Sequence, residues 1–285
     1  MTGCNSTHFQ NVQAVENNRQ GLSIINAQDM VVEDSEFSRT NGTAPAAGID
    51  IEPDYAEYSL VNITLRNLVL EDNDGHGLQL TLREWARRPE AVLAPISITM
   101  ESVVARGSFS PVSSVSHGFQ LTMVEDTGRN TGGSIVMANC RAEHTNLAGL
   151  QLGDVSVHSA QVTITDMSIV NVAQAGRRMG AQYTNDPNSP VDLGWLGWEL
   201  AANATQPPCG GGGIPQNCGG VTLTNLHVTD NVRRPWLQLA SMHYNGSTSN
   251  LRGSAFITNP FGCTVNSTSG PLDPLPNLRT TCKVS

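Results

Sequence analysis

Lysine is almost missing from this 285-residue chain: Lys283 is the only one. Lysine is thereby removed from any catalytic role in the body of the sequence, and cationic work falls to arginine. Charged residues of all kinds reach only 14% and aromatics 5%, a composition suited to stacked strands with small-residue turns. Acidic side chains outnumber basic ones 25 to 16, for a formal charge of −9, which argues against general nucleic-acid binding. No apolar run is long enough to cross a membrane, so membrane insertion is not expected. No apolar stripe of helical period is present, which removes a βαβ architecture. No Cys/His spacing matches a zinc site. No secretory signal opens the chain, and no polar or helical cap precedes the first repeat. A fragment without its true start is the expectation, so the missing signal carries little weight about compartment.

What is present is repetition. A glycine followed by aliphatic–polar–aliphatic recurs as Gly21-Leu22-Ser23-Ile24, Gly48-Ile49-Asp50-Ile51, Gly77-Leu78-Gln79-Leu80, Gly118-Phe119-Gln120-Leu121 and Gly149-Leu150-Gln151-Leu152. With Trp for Gly it returns as Trp236-Leu237-Gln238-Leu239. The first five copies are spaced by 27, 29, 41 and 31 residues. Each copy predicts one short strand with two aliphatics on one face and a polar side chain on the other. Repetition at this scale predicts stacked structural units. A leucine-rich repeat would be shorter and richer in Leu, and a propeller would need several strands per repeat.

A second phrase lies between the first, as in Val61-Asn62-Ile63-Thr64-Leu65-Arg66-Asn67 and Val162-Thr163-Ile164-Thr165-Asp166. Aligning its copies puts Asn11, Asp34, Asn67, Ser102, Asn139, Asp166 and Asn225 in one column, with Phe37, Leu70, Ala105, Ala142, Ile169 and Val228 three positions after six of them. Asn and Asp tolerate left-handed backbone geometry and bond nearby backbone, so this column predicts bends between strands. Stacked copies could also bond to one another, as amide ladders do. The pattern resembles the right-handed parallel β-helix of the pectate-lyase-like superfamily over roughly residues 5–240. That resemblance implies an all-β, single-stranded solenoid.

The repeats of this expected β-helix domain, 1–240, carry an insertion at about 176–219 that holds Trp195, Trp198 and a Cys/Gly-rich loop. Residues 241–285 read as a non-repeat cap or tail. Cys209 and Cys218 bracket one glycine-rich loop, and Cys263 and Cys282 bracket the tail. Disulfides are the natural reading of both pairs and imply an oxidising, extracellular or secreted setting. Cys140 follows the bend residue Asn139 and reads as a buried thiol. Sequons at Asn5, Asn41, Asn62, Asn203, Asn245 and Asn266 add slightly to the secretory reading.

Outward positions of the glycine strands should stack about 4.8 Å apart. The main column is Ser23, Asp50, Gln79, Gln120, Gln151 and Gln238; Gln20, His76 and His117 lie at the strand entrances. An amide-rich strip can hydrogen-bond a row of sugar hydroxyls, and it can equally be a ladder that satisfies its own amides. Asp50 and Glu52 share a face at roughly 6 to 7 Å, near the spacing of about 6.5–9.5 Å used by inverting glycosidases. Asp50, Glu52 and Asp54 could alternatively hold Ca²⁺, which favours oxygen ligands; otherwise no cofactor or metal is indicated. His76, with His117 at the same register, is placed to assist as a general acid or base, or else the two histidines pack on each other. Long loops at 81–95 and 122–132 would flank this strip. Arg83 and Trp85 in the first could bind a sugar carboxylate and stack on a ring; a short helix with a neutralised arginine is the plainer reading.

Gly75-His76-Gly77-Leu78 resembles the Gly-His-Gly segment of polygalacturonase-type hydrolases, and Asn73-Asp74-Gly75-His76-Gly77 resembles a segment of mannuronan C5-epimerases. Both resemblances imply a polysaccharide partner. The expectation is a monomeric carbohydrate-active hydrolase, lyase or epimerase with Asp50, Glu52, His76 and His117 at its chemistry. Gln79, Gln120, Gln151, Arg83 and Trp85 would bind the substrate. The alternative is a non-catalytic surface, adhesin or glycan-binding module.

Overall fold

Alternating aliphatic and polar residues become strands throughout, and no helix occurs among the described residues. A computed structural model of the chain describes residues 4–55, 57–82, 95–108, 116–122, 132–153, 160–172, 189–195, 219–239, 250–267 and 278–284. In chain order the strands are β1 (Cys4–Gln10), β2 (Gln13–Val15), β3 (Gln20–Ile24), β4 (Ala27–Ser38), β5 (Ala47–Ile51), β6 (Leu60–Glu71) and β7 (Leu78–Thr81). Then come β8 (Ile96–Arg106), β9 (Phe119–Thr122), β10 (Gly133–Ala138), β11 (Arg141–Glu143), β12 (Leu150–Gly153), β13 (Gln161–Thr165) and β14 (Ser168–Val170). The last are β15 (Val191–Trp195), β16 (Gly219–Thr229), β17 (Leu237–Leu239), β18 (Asn250–Thr258), β19 (Val265–Ser267) and β20 (Leu278–Lys283).

These strands form two sheets. The eight-stranded sheet runs β19-β17-β15-β12-β9-β7-β5-β3, and a twelve-stranded sheet takes the others. From β3 onward the chain alternates between the sheets, and each strand pairs with its counterpart from the next passage. All strand pairings among the described residues are parallel. The pairing puts like on like. Ile49, Leu78, Phe119, Leu150, Val191 and Leu237 lie on successive rungs of the eight-stranded sheet, all fully buried. Each such side chain contributes about 1.5–3 kcal/mol by leaving water.

Every member of the aligned bend column has a left-handed backbone: Asn11, Asp34, Asn67, Ser102, Asn139, Asp166 and Asn225 have φ between 50° and 55°. Part of the column bonds across rungs as a ladder. Asn67 Nδ2 donates to Asp34 Oδ1 at 3.1 Å, and Asn225 Nδ2 to Asp166 Oδ1 at 3.0 Å. A second left-handed column at Glu16, Arg39, Asp72, His144 and Asn171 escaped the sequence alignment, because its residue types are mixed. The glycines at the strand entrances have another cause, which is close approach. A Cβ on Gly77 would lie 2.6 Å from both the Gly118 carbonyl oxygen and Ala105 Cβ, and one on Gly118 would lie 2.7 Å from the Gly149 carbonyl oxygen.

Two stretches expected to lack repeats supply rungs. β15 lies inside the anticipated insertion and joins β12 to β17; its Val191-Asp192-Leu193 follows a proline instead of a glycine, which hid it. β18, β19 and β20 extend both sheets beyond residue 240. Their alternation is diluted by Gly253, Ser254 and Thr258. The Cys263–Cys282 disulfide, 5.8 Å between Cα atoms, ties the turn before β19 to β20. Cys140 is buried, and burial raises its thiol to about 11. Cys4 is free and exposed, while Cys209, Cys218 and Trp198 lie outside the described residues. No helix among those described is long and apolar enough to cross a membrane.

The glycine corner is testable. Gly77→Ala should lower unfolding stability in urea by about 1–3 kcal/mol, the usual cost of overpacking. An unchanged midpoint would show that the corner has room for a methyl group.

Candidate functional site

Register in the eight-stranded sheet carries the polar positions as faithfully as the apolar ones. Ser23 pairs with Asp50, Asp50 with Gln79, Gln79 with Gln120, and Gln120 with Gln151. The column continues through Asp192, Gln238 and Asn266. Asp192 and Asn266 were missed in the sequence because their strands were not recognised as repeats. Gln79, Gln120 and Gln151 are half-buried. Gln120 Nε2 donates to Thr122 Oγ1 at 2.9 Å, which turns the amide so that its oxygen is left over. That oxygen is buried without a hydrogen-bond partner.

Asp50 is the anomaly of the column. Its residue is 2% exposed, and its Oδ1 has no partner. Burial is the main reason its carboxyl is pushed up to about 7; the negative charge of Glu52 adds to this, Arg19 opposes it, and Asp54 contributes a further rise. A carboxylate normally loses its proton near pH 4, so Asp50 can hold one near neutrality. Glu52 is half-buried and Asp54 exposed. Among the described residues no group of three or more His, Cys, Asp or Glu is arranged to hold a metal ion, and Asp50, Glu52 and Asp54 form no such group.

The histidines do not join this site. Gly48 N donates to the His76 carbonyl oxygen, so His76 stands three register positions before Gln79, the residue opposite Asp50. Three positions along a strand are about 10 Å. The neighbour of His76 is instead His117: the rings stack at 5.4 Å between centroids and 7° between planes, and His117 N donates to His76 Nδ1 at 3.3 Å. Both residues are buried. Burial and the His117 charge hold His76 well below its ordinary range. Burial brings His117 down to about 4 against the opposing pull of a hydrogen bond with the Ala148 backbone. Of the two arrangements the sequence allows, the structure shows the histidines packed on each other.

Packing also explains the rest of that segment. A Cβ on Gly75 would meet the Pro45 carbonyl oxygen at 1.7 Å. Buried Asn73 accepts from Thr40 N at 3.0 Å and donates to the Phe37 carbonyl oxygen at 3.1 Å. The Gly-His-Gly signal is thus built into a corner. Arg83 and Trp85 lie outside the described residues.

One aromatic outside the repeat pattern stands beside the acids. Tyr55 directly follows Glu52-Pro53-Asp54 and is 44% exposed. Its ring meets Tyr58 edge-on, 5.1 Å between centroids at 81°. An aromatic directly after an acidic run, in a chain so poor in aromatics, was the available signal. No protein-family model, curated protein or solved structure matches the chain.

Two pH effects follow. Asp50 takes up its proton more readily folded than unfolded, so its contribution is full below about pH 4 and is lost as pH rises through 7. Asp50→Asn should therefore be more stable than wild type at pH 8, by up to about 4 kcal/mol, with the advantage fading toward pH 4. An equal gain at both pH values would contradict a raised carboxyl. The histidines act in the opposite sense: they stabilise the fold above about pH 6.5, and that stability is lost as pH falls. In an Asp50→Asn background, which removes the opposing carboxyl, urea midpoints measured from pH 7 to 5 should drop, and should drop less when His117→Phe is added.

Proposed function

We propose that the chain is a right-handed parallel β-helix of the pectate-lyase-like kind that acts outside the cell on a polysaccharide. The alternation between two parallel sheets supports the architecture. Parallel crossovers are right-handed in about 98% of cases, which supports the hand. The Cys263–Cys282 disulfide supports an oxidising setting.

One observation carries the enzymatic reading: a buried carboxyl on a polar strip, its Oδ1 without a partner, raised to about 7 with a second carboxylate two residues away. Such a pair divides into acid and base. Asp50 gives its proton to the glycosidic oxygen as the C–O bond breaks. The Glu52 carboxylate takes a proton from the water whose oxygen joins the anomeric carbon. Gln79, Gln120 and Gln151 offer amides to the chain on either side. The histidines take no part.

The second reading is a glycan-binding module. It is favoured by the histidine pair, which turns from the acids to each other, and it makes Asp50 and Glu52 dispensable.

Turnover on a panel of neutral and uronate polysaccharides, followed by reducing ends, unsaturated uronate absorbance and sugar stereochemistry, separates the two. Asp50→Asn and Glu52→Gln should each lower turnover by about 100-fold or more, the usual worth of a general acid or base. Full activity in both variants, or binding with no turnover of any substrate, favours the module.

A further inference from the structure

We propose that the Asp50 site takes an uncharged polysaccharide, laid across the strands of the eight-stranded sheet with one sugar ring stacked on Tyr55. This rests on the reading of the polar column as a polysaccharide site. Two of the three charges that act on Asp50, Glu52 and Asp54, are anionic; the one cation, Arg19, is exposed and already donates its Nε to the Ala44 carbonyl oxygen at 3.1 Å. A uronate polymer would bring a carboxylate per sugar against this anionic strip, and repulsion between nearby like charges opposes that.

Among the described side chains of the column, Asp50 Oδ1 and Gln120 Oε1 are buried without hydrogen-bond partners. They lie two rungs apart, about 10 Å. Buried acceptors are costly unless a donor reaches them, and the hydroxyls of a glycan are donors once the side chains covering these two atoms shift. Tyr55 offers an exposed ring one residue from Asp54, and Tyr58 holds that ring edge-on. A sugar ring presents apolar C–H groups to such a face, as other apolar partners of aromatic rings do.

Affinity electrophoresis of the wild-type chain tests this, in gels containing a glucan, a xylan, a mannan, polygalacturonate or alginate, at low and high salt. Retardation by at least one neutral polymer, insensitive to salt, is expected. Tyr55→Phe should match wild type, and Tyr55→Ala should bind about tenfold more weakly with an unchanged circular dichroism spectrum. Retardation only by the uronate polymers, no retardation by any polymer, or full binding by Tyr55→Ala would overturn the inference. Turnover is read separately. Neutral binding without turnover removes catalysis and leaves the substrate class standing. Uronate turnover that is lost in Asp50→Asn keeps the catalytic reading and removes this one.

Discussion

In-register parallel pairing is the constraint on which the rest depends. A parallel ladder aligns equivalent positions of successive passages, so whatever one passage places at a position is stacked on its equivalents. Apolar residues then form continuous buried columns, as from Ile49 to Leu237. Bend residues must all reach left-handed geometry, and Asn and Asp do so at low cost. The entrance positions Gly21, Gly48, Gly77 and Gly118 must be small, because each faces the carbonyl of its successor. A column inherits the demands of its register, so a substitution is felt on the rungs above and below as well as on its own.

The same stacking gives the polar column its chemical character. Glutamines at equivalent positions can share their hydrogen bonds along the column or with a neighbour, as Gln120 does with Thr122. A carboxyl placed in that column has no such partner. Asp50 is buried in a column filled elsewhere by Ser, Gln and Asn and by one other carboxylate, Asp192, with Glu52 and Asp54 following it along the chain. A fold optimised for stability alone would place an amide there. At the His76–His117 pair two titratable groups in register stack on each other and His76 Nδ1 accepts from His117 N, while His117 Nδ1 is left, like Asp50 Oδ1, buried without a partner.

Strands whose polar residue and glycine both survive were legible from the sequence, because the repeat names them directly. The bend column from Asn11 to Asn225 was legible for the same reason, and all of its members adopt the expected geometry. β15 and β18–β20 were not legible, since a proline replaces the glycine in one and small residues break the alternation in another. Asp50 was recognisable as a carboxylate on the strip, but its burial could not be read from a period-two pattern, which assigns that face to solvent. His76 was placed beside Asp50 because the glycine motif fixes the rung. Its offset of three positions along the strand separates them. Tyr55 was overlooked because it stands after the strand, where no repeat applies.

The account centres on Asp50 as a carboxyl that holds its proton near neutrality. Its direct test is an NMR titration of the side-chain carboxyl carbons in chain labelled at aspartate, with Asp50→Asn to assign the signal. A resonance that titrates near pH 7 and is absent from the variant is the predicted result. Titration of every aspartate near pH 4 or below would contradict the account, leaving the polar column as an amide ladder with an ordinary acid at its edge.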